Sequence, residues 1–378
     1  MPETLSAPAP QAVDESWTRR EILQQPETLR ATQAVLRENR SAIEAFLSPL
    51  LAREELRIVL TGAGTSAFIG ESLAPWLSAV LGRAVEAIAT TDIVSAPALH
   101  LRAEVPTLLV SFGRSGSSPE SIAAVDLVDA LVDRAHHLVV TCNPDGELAK
   151  RAGATTHVVV LPEATHDRAF AMTSSFTAMT FAALSIFTGI AAMDERANAI
   201  AGAVAEMCAT DAPMMALAEC DFDRVVYLGS GVFKGLAREA ALKLMELSDG
   251  AIVTAFDTPL GFRHGPKTIV KDRTLVMVFV SNDPLTRRYD LDIIAELRAD
   301  GHSGAVLAVS AQPIDGEALI VPGLARAADA DLLFPFIVPA QLFALHNSLR
   351  LGITPDTPNA SGTVNRVVQG VRIHAIGA

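Results

Sequence analysis

Between Ser111 and Ser121 the chain reads SFGRSGSSPES, five serines crowded around two glycines. Hydroxyls and free backbone N–H groups at the start of a helix make a place for an anion, most naturally a phosphate. Ser115, Ser117 and Ser118 are the candidate ligands. Ser111 falls in the preceding strand and Ser121 already inside the helix. The same stretch also reads as a well-capped strand-to-helix loop that binds nothing. A second group is ionisable. Glu239, Lys243 and Glu246 follow one another at four and three residues, so all three share one face of a helix; in most helices such a face is a solvated row of ion pairs. His264 stands before Gly265-Pro266, a tight turn that fixes where the imidazole points, and histidine is the side chain suited to moving protons near neutral pH. Read alone, it is an ordinary loop histidine.

The elements that position these residues are legible as alternation. Thr107-Leu108-Leu109-Val110 is a strand feeding the serine loop. Pro119 and Glu120 suit the first turn of a helix whose apolar positions are Ile122, Val125, Leu127 and Val128. From Arg57 onward short β-branched runs, glycine turns and helical segments recur, which predicts parallel βαβ units. The pattern then repeats at a constant offset. Gly62 and Gly64 match Gly229 and Gly231, Thr107-Leu108-Leu109 matches Thr274-Leu275-Val276, and Val139-Val140 matches Val306-Leu307, each 167 residues apart. The fold class is α/β, a tandem duplication in which each half is a parallel sheet of about five strands flanked by helices. Ligands in such sheets bind beyond the carboxyl ends of the strands.

The halves differ in chemistry. The first keeps Thr65, Ser66, Ser115, Ser117 and Ser118 in its turns; the second has Val232-Phe233 and Ser281-Asn282-Asp283-Pro284 there. The first half is the expected phosphate holder. The second carries a helix over Ala237–Ser248, ending at Asp249-Gly250, and the turn FRHGPK with His264.

At 378 residues the chain is expected to hold two domains: an N-terminal tail and helical extension over 1–50, then units over 51–210 and 211–378. The formal charge of −13 argues against a general nucleic-acid or anionic-membrane binder. Cys142, Cys208 and Cys220 lack metal-ligand spacing and form no disulfide framework, which fits a reducing cytoplasm. MPETLSAPAPQAVDES reads as a loose tail and not as a signal peptide. Thr18-Arg19-Arg20-Glu21 has capping-box spacing; helical periodicity follows, broken near Pro26 and resumed over Glu27–Leu50. Phe176 to Met193 is uncharged, but Thr177, Thr180, Ser185 and Thr188 interrupt it, so a buried helix is expected, with contact area for a second subunit.

Several motifs in one order resemble the SIS, or sugar isomerase, family: GTS at Gly64 to Ser66, RSGSS at Arg114 to Ser118, CNP at Cys142 to Pro144, ALKLMELS at Ala241 to Ser248 and HGP at His264 to Pro266. The resemblance runs from about Arg57 to the end. It implies that Thr65, Ser66, Ser115, Ser117 and Ser118 grip a sugar phosphate, with Gly64, Arg114, Thr363 and Asn365 as further substrate-site candidates. It implies that Glu246 moves a proton between C1 and C2, and that His264, often offered to a neighbouring subunit, opens the ring. An oligomer, at least a dimer, is therefore expected, with a small-molecule sugar phosphate as ligand and neither metal nor other cofactor. Burial beside the sugar is expected to raise the Glu246 carboxyl above its ordinary value.

Two departures stand out. Relatives that join ammonia to the sugar carry a lysine in the C-terminal segment where this chain has Thr363, and they carry a glutaminase domain that is not seen here. With AFAMTSSFT at Ala169 to Thr177 and SGTVNRVVQG near the end, the pattern is most similar to the branch of galactosamine-6-phosphate deaminases and tagatose-6-phosphate ketose/aldose isomerases. Deamination of an aminosugar phosphate, plain aldose–ketose exchange and a non-catalytic sugar-phosphate sensor are the readings it leaves.

Overall fold

The computed structural model describes residues 15–368 and 370–375. The expected loose tail lies outside them up to residue 14, as does Gln369 of the C-terminal motif. Three helices open the chain: α1 (Trp17–Leu23), α2 (Gln25–Glu38) and α3 (Arg40–Leu51). Ser16, not Thr18, caps α1, accepting from the Arg19 N–H. The capping box fails because its members are used elsewhere. Thr18 donates to Asp356, and Glu21 accepts from the backbone of Arg168 and Ala169. The break falls at Gln24, which leaves Pro26 in the first turn of α2, where a missing N–H costs nothing.

The first half runs β1 (Arg57–Thr61), α4 (Thr65–Leu81), β2 (Val85–Ala87), α5 (Thr90–Ser95), α6 (Pro97–His100), β3 (Thr107–Gly113), α7 (Pro119–Leu131), β4 (Ala135–Thr141) and β5 (Thr156–Val160). After α8 (Ser174–Thr188), α9 (Ile190–Cys208) and α10 (Asp211–Ala218), the second half runs β6 (Arg224–Gly229), α11 (Phe233–Leu247), β7 (Val253–Asp257), α12 (Pro259–Phe262), β8 (Thr274–Val280), α13 (Pro284–Asp300), β9 (Ala305–Ser310), β10 (Ala318–Ile320) and α14 (Asp329–Arg350). Both sheets are five-stranded and parallel, with orders β2-β1-β3-β4-β5 and β7-β6-β8-β9-β10.

The duplication holds to the residue. Arg57 pairs with Thr107 as Arg224 pairs with Thr274, and Gly64 and Gly231 share φ = 56°. At Gly62 and Gly229 a Cβ would stand 2.6 and 2.4 Å from backbone atoms of Ser66 and Phe233, so the turn into the helix admits only glycine.

Strand side chains alternate between two buried layers, as expected of parallel sheets covered on both faces. In the second sheet Val225, Tyr227, Met277 and Phe279 face inward to the main core, whereas Val226, Leu228, Val276 and Val278 face outward to a cluster completed by Phe262 and by Ile293, Ile294 and Leu297 of α13. The main core lies between the sheets and is filled by α2, α4, α8, α9, α11 and α14. The uncharged run at Phe176 is therefore not one helix: Gly189, at φ = 104°, separates α8 from α9. The α8 side chains from Ser174 to Phe187 are buried within the chain, so the exposed part of the run lies at Gly189, Ala191 and Ala192. Among the described residues, α14 is the single helix long and apolar enough to cross a membrane, and 94% of its apolar window is buried inside this fold.

Candidate active site

Helix α11 begins four residues before the expected start, directly after the glycine turn, and ends where Asp249 and Gly250 turn left-handed and the Gly250 N–H bonds to Met245 O at 2.9 Å. It crosses α4 so closely that a Cβ on Gly235 would stand 2.5 Å from the Ser72 nitrogen. That approach joins the two halves chemically. Lys243, fully buried, donates to Glu246 and, at 3.1 Å, to the Thr65 hydroxyl, which donates to Glu239 at 3.3 Å. Lys243 Nζ also lies 3.5 Å from a Glu239 oxygen. The face expected from spacing is thus buried, not solvated. Burial pushes the Glu239 carboxyl up to about 8, with Lys243 opposing and Glu246 adding to the shift. Burial alone would lower Lys243, but the two carboxyls outweigh it and raise it. Only Glu246 reaches outward, its side chain 21% exposed. It lines a cavity of about 290 Å3 with Phe170, Leu242, Met245, Asp249 and Val364.

The serine loop follows β3 at the carboxyl edge of the first sheet. Ser115, Ser117 and Ser118 are half-buried. Ser115 Oγ accepts from the Ser117 N–H at 3.3 Å, Ser117 Oγ from the Glu147 N–H at 3.1 Å, and Asn143 Nδ2 donates to Ser115 O at 2.9 Å. Ser118 Oγ donates to Ser121 Oγ at 2.6 Å, so Ser121, read only as a helix residue, holds one of the candidates in place. Ser66 is buried in the first turn of α4, and Gly64 supplies the turn before it. Thr65 differs from the serines: its hydroxyl is committed to Lys243 and Glu239.

Arg114 is buried, and its guanidinium donates to the carbonyls of Ala169, Phe170 and Arg366. Burial, reinforced by the Arg366 charge, brings it down to about 10. It therefore ties the 169–170 loop and the C-terminal segment to the serine-loop edge. Arg366 in turn donates to Asp167 O. The Asp167 carboxylate accepts from the backbone N–H of Thr173 and Ser175 at 2.8 and 2.9 Å at the start of α8. Glu21, on the N-terminal helix, holds the neighbouring backbone; burial first, then Asp167, push its carboxyl up to about 8. Sequence reading missed Glu21, Asp167 and Arg366. The only local signal was an aspartate six residues before a Thr-Ser-Ser run. Thr363 and Asn365 are exposed on the C-terminal segment. Thr363 bonds to Ser361 and Asn359, and Asn365 to Gly362 O.

In the second half the loop corresponding to the serine loop is filled by the chain's own carboxylates. Asp329, at the start of α14, accepts from the Asn282 N–H at 2.8 Å and from the Ser281 hydroxyl, and Asp290 accepts from the Ser281 N–H at 2.9 Å. Internal anions occupy the N–H groups that an external anion would need.

His264 is exposed. On one side of it Phe262 packs into the outer cluster of the second sheet, and on the other Ile269 and Val270 do the same. Helix α11 lies on the inner face. Within one chain the second sheet therefore stands between His264 and Glu246, and the fold does not bring the two together.

The SIS domain family matches residues 50–189. D-galactosamine-6-phosphate deaminase AgaS of Escherichia coli is 46% identical over 382 residues, covering 99% of each chain, and that of Shewanella sp. (strain ANA-3) is 47% identical over 365 residues, covering 95% of this chain and 92% of the relative. The crystal structure of tagatose-6-phosphate ketose/aldose isomerase from Escherichia coli superposes with a TM-score of 0.89 at 42% identity, covering 98% of this chain and 100% of that one. With that match and a full-length likeness to these relatives, the chain belongs to the SIS domain family.

Proposed function

We propose that this enzyme converts a 2-amino-2-deoxyhexose 6-phosphate, with galactosamine 6-phosphate the first substrate to test, to the ketose 6-phosphate and ammonia. The observation that carries the reading is the full-length likeness to D-galactosamine-6-phosphate deaminases, joined to a glutamate held by a buried lysine at the wall of a cavity. In this reading Ser66, Ser115, Ser117 and Ser118 hold the phosphate dianion. His264 of a neighbouring copy passes a proton between the ring oxygen and the anomeric hydroxyl, opening the ring; its exposure and its place on the far face of the second sheet support an intermolecular role. Glu246 removes the C2 proton. The resulting enolamine takes a proton at C1 and becomes a C2 ketimine, which water hydrolyses to ketose and ammonia. Arg114, which donates to Arg366 O, keeps the C-terminal segment over the cavity.

The 42% identical isomerase fold favours a second reading, exchange between tagatose 6-phosphate and its aldose by the same two groups without loss of nitrogen. Ammonia release from galactosamine and glucosamine 6-phosphates, measured beside a ketose assay on tagatose 6-phosphate, separates the two. Ketose formed without ammonia would establish the second. Glu246→Gln is expected to abolish turnover while leaving substrate binding within a few-fold, and turnover retained within a factor of about ten would remove Glu246 from the base role.

A further inference from the structure

We propose that Glu296 is a positioning residue for His264, an inference that rests on the ring-opening role given to that histidine. The turn His264-Gly265-Pro266 is flanked by Arg263 and Lys267, and one carboxylate holds both. Glu296 Oε2 accepts from Arg263 Nε at 2.7 Å, and Glu296 Oε1 accepts from Lys267 Nζ. Asp300, one turn further along α13, accepts from Lys267 as well. The helix bearing these carboxylates is itself fixed, because Ile293, Ile294 and Leu297 are buried in the outer cluster of the second sheet.

Between the two anchored shoulders the backbone passes through Gly265 at φ = 122°, a conformation that favours glycine. Among the described residues the His264 ring has no hydrogen-bond partner in its own chain, so what its own chain fixes is the backbone from which the side chain leaves. Partly exposed ion pairs add little to stability. What a carboxylate shared across the turn does supply is geometry: it fixes the span from residue 263 to residue 267 and hence the direction in which the imidazole leaves the surface. A catalytic group displaced by about 1 Å can lose two orders of magnitude in rate. Losing one of two tethers should cost less than that.

The test uses the full-length assembled enzyme and two substrates. One is the ring-closed aminosugar 6-phosphate. The other is a 5-deoxyketohexose 6-phosphate, which cannot form a ring, followed as exchange of its C1 hydrogen with D2O in the presence of ammonium chloride. Glu296→Gln, whose amide can serve only one of the two cations, should cut kcat on the ring substrate about tenfold, hold KM within twofold and leave C1 exchange within twofold of the parent. His264→Asn should show the same selectivity more strongly. Full ring turnover in Glu296→Gln, or equal loss on both substrates, overturns the proposal while leaving the His264 reading standing, provided His264→Asn is selective. Unchanged ring turnover in His264→Asn fails that reading and this proposal with it.

Discussion

Replacing Lys243 with methionine isolates the buried charge cluster, because methionine nearly keeps the stem's volume and removes only the ammonium. In the parent, Lys243 and Glu239 are both fully buried with N and O 3.5 Å apart. At an effective dielectric of about 20 that attraction alone is about 5 kcal/mol. Part of the loss is recovered, because Glu239 already titrates at about 8 with the lysine present and can take up a proton when it is gone. A net destabilisation of about 3 kcal/mol is expected, at the low end of what removing one partner of a buried pair costs. Urea unfolding at pH 9, where Glu239 is ionised in the parent, followed by circular dichroism, reads it directly. Adding Glu239→Gln should return at least about 1 kcal/mol, since a glutamine is buried neutral without the proton uptake that Glu239 needs once the lysine is gone. In turnover, Lys243→Met should lower kcat and barely move KM, because the lysine touches Glu246 and not the cavity. A Lys243→Met protein within about 0.5 kcal/mol of the parent, or a double variant less stable than the single, would refute the view that the cluster is a compensated buried charge.

Ser115→Ala with Ser118→Ala should raise KM about tenfold or more with kcat little changed, as expected when hydroxyls bind substrate and transition state alike; an unaltered KM contradicts the phosphate assignment. Glu21 and Glu239 make stability depend on pH in a stated direction. Both carboxyls are raised to about 8 by burial from an unfolded value near ~4.3, so the folded chain binds more protons than the unfolded one between those values. Their contribution is full below about pH 4 and falls by at most about 1.4 kcal/mol per unit for each group until it is gone above about pH 8. Unfolding midpoints measured from pH 5.5 to 8.5 should decline, and Glu21→Gln with Glu239→Gln should flatten the slope; an equally steep decline in that variant assigns the dependence to other groups.

Why some of this was readable and some was not has a physical basis. The duplication was visible because a tight turn such as that at Gly62 and Gly229 tolerates no side chain and parallel strands buried on both faces must be apolar throughout, constraints that act on consecutive residues and so leave a mark in the sequence. The serine loop was legible for the same reason, as was the shared face of Glu239, Lys243 and Glu246, which the helical repeat alone requires. Whether that face was solvated was not, because its burial depends on α4 crossing α11 at Gly235, far away in the chain. Glu21, Asp167 and Arg366 were missed because each acts on backbone groups brought near only by folding. The capping box at Thr18 misled because Asp356, some 340 residues away, competes successfully for that threonine.

The sequence by itself therefore determined the α/β class, the two in-register halves and which half kept its hydroxyls, since these follow from local periodicity and turn chemistry. Only the tertiary structure decided that Lys243 is a buried counter-charge shared by two carboxyls, that Asp329 fills the second half's anion site from within, and that a whole sheet separates His264 from Glu246. Each of those depends on which surfaces pack together, and packing is a property of residues distant in sequence that local pattern cannot encode.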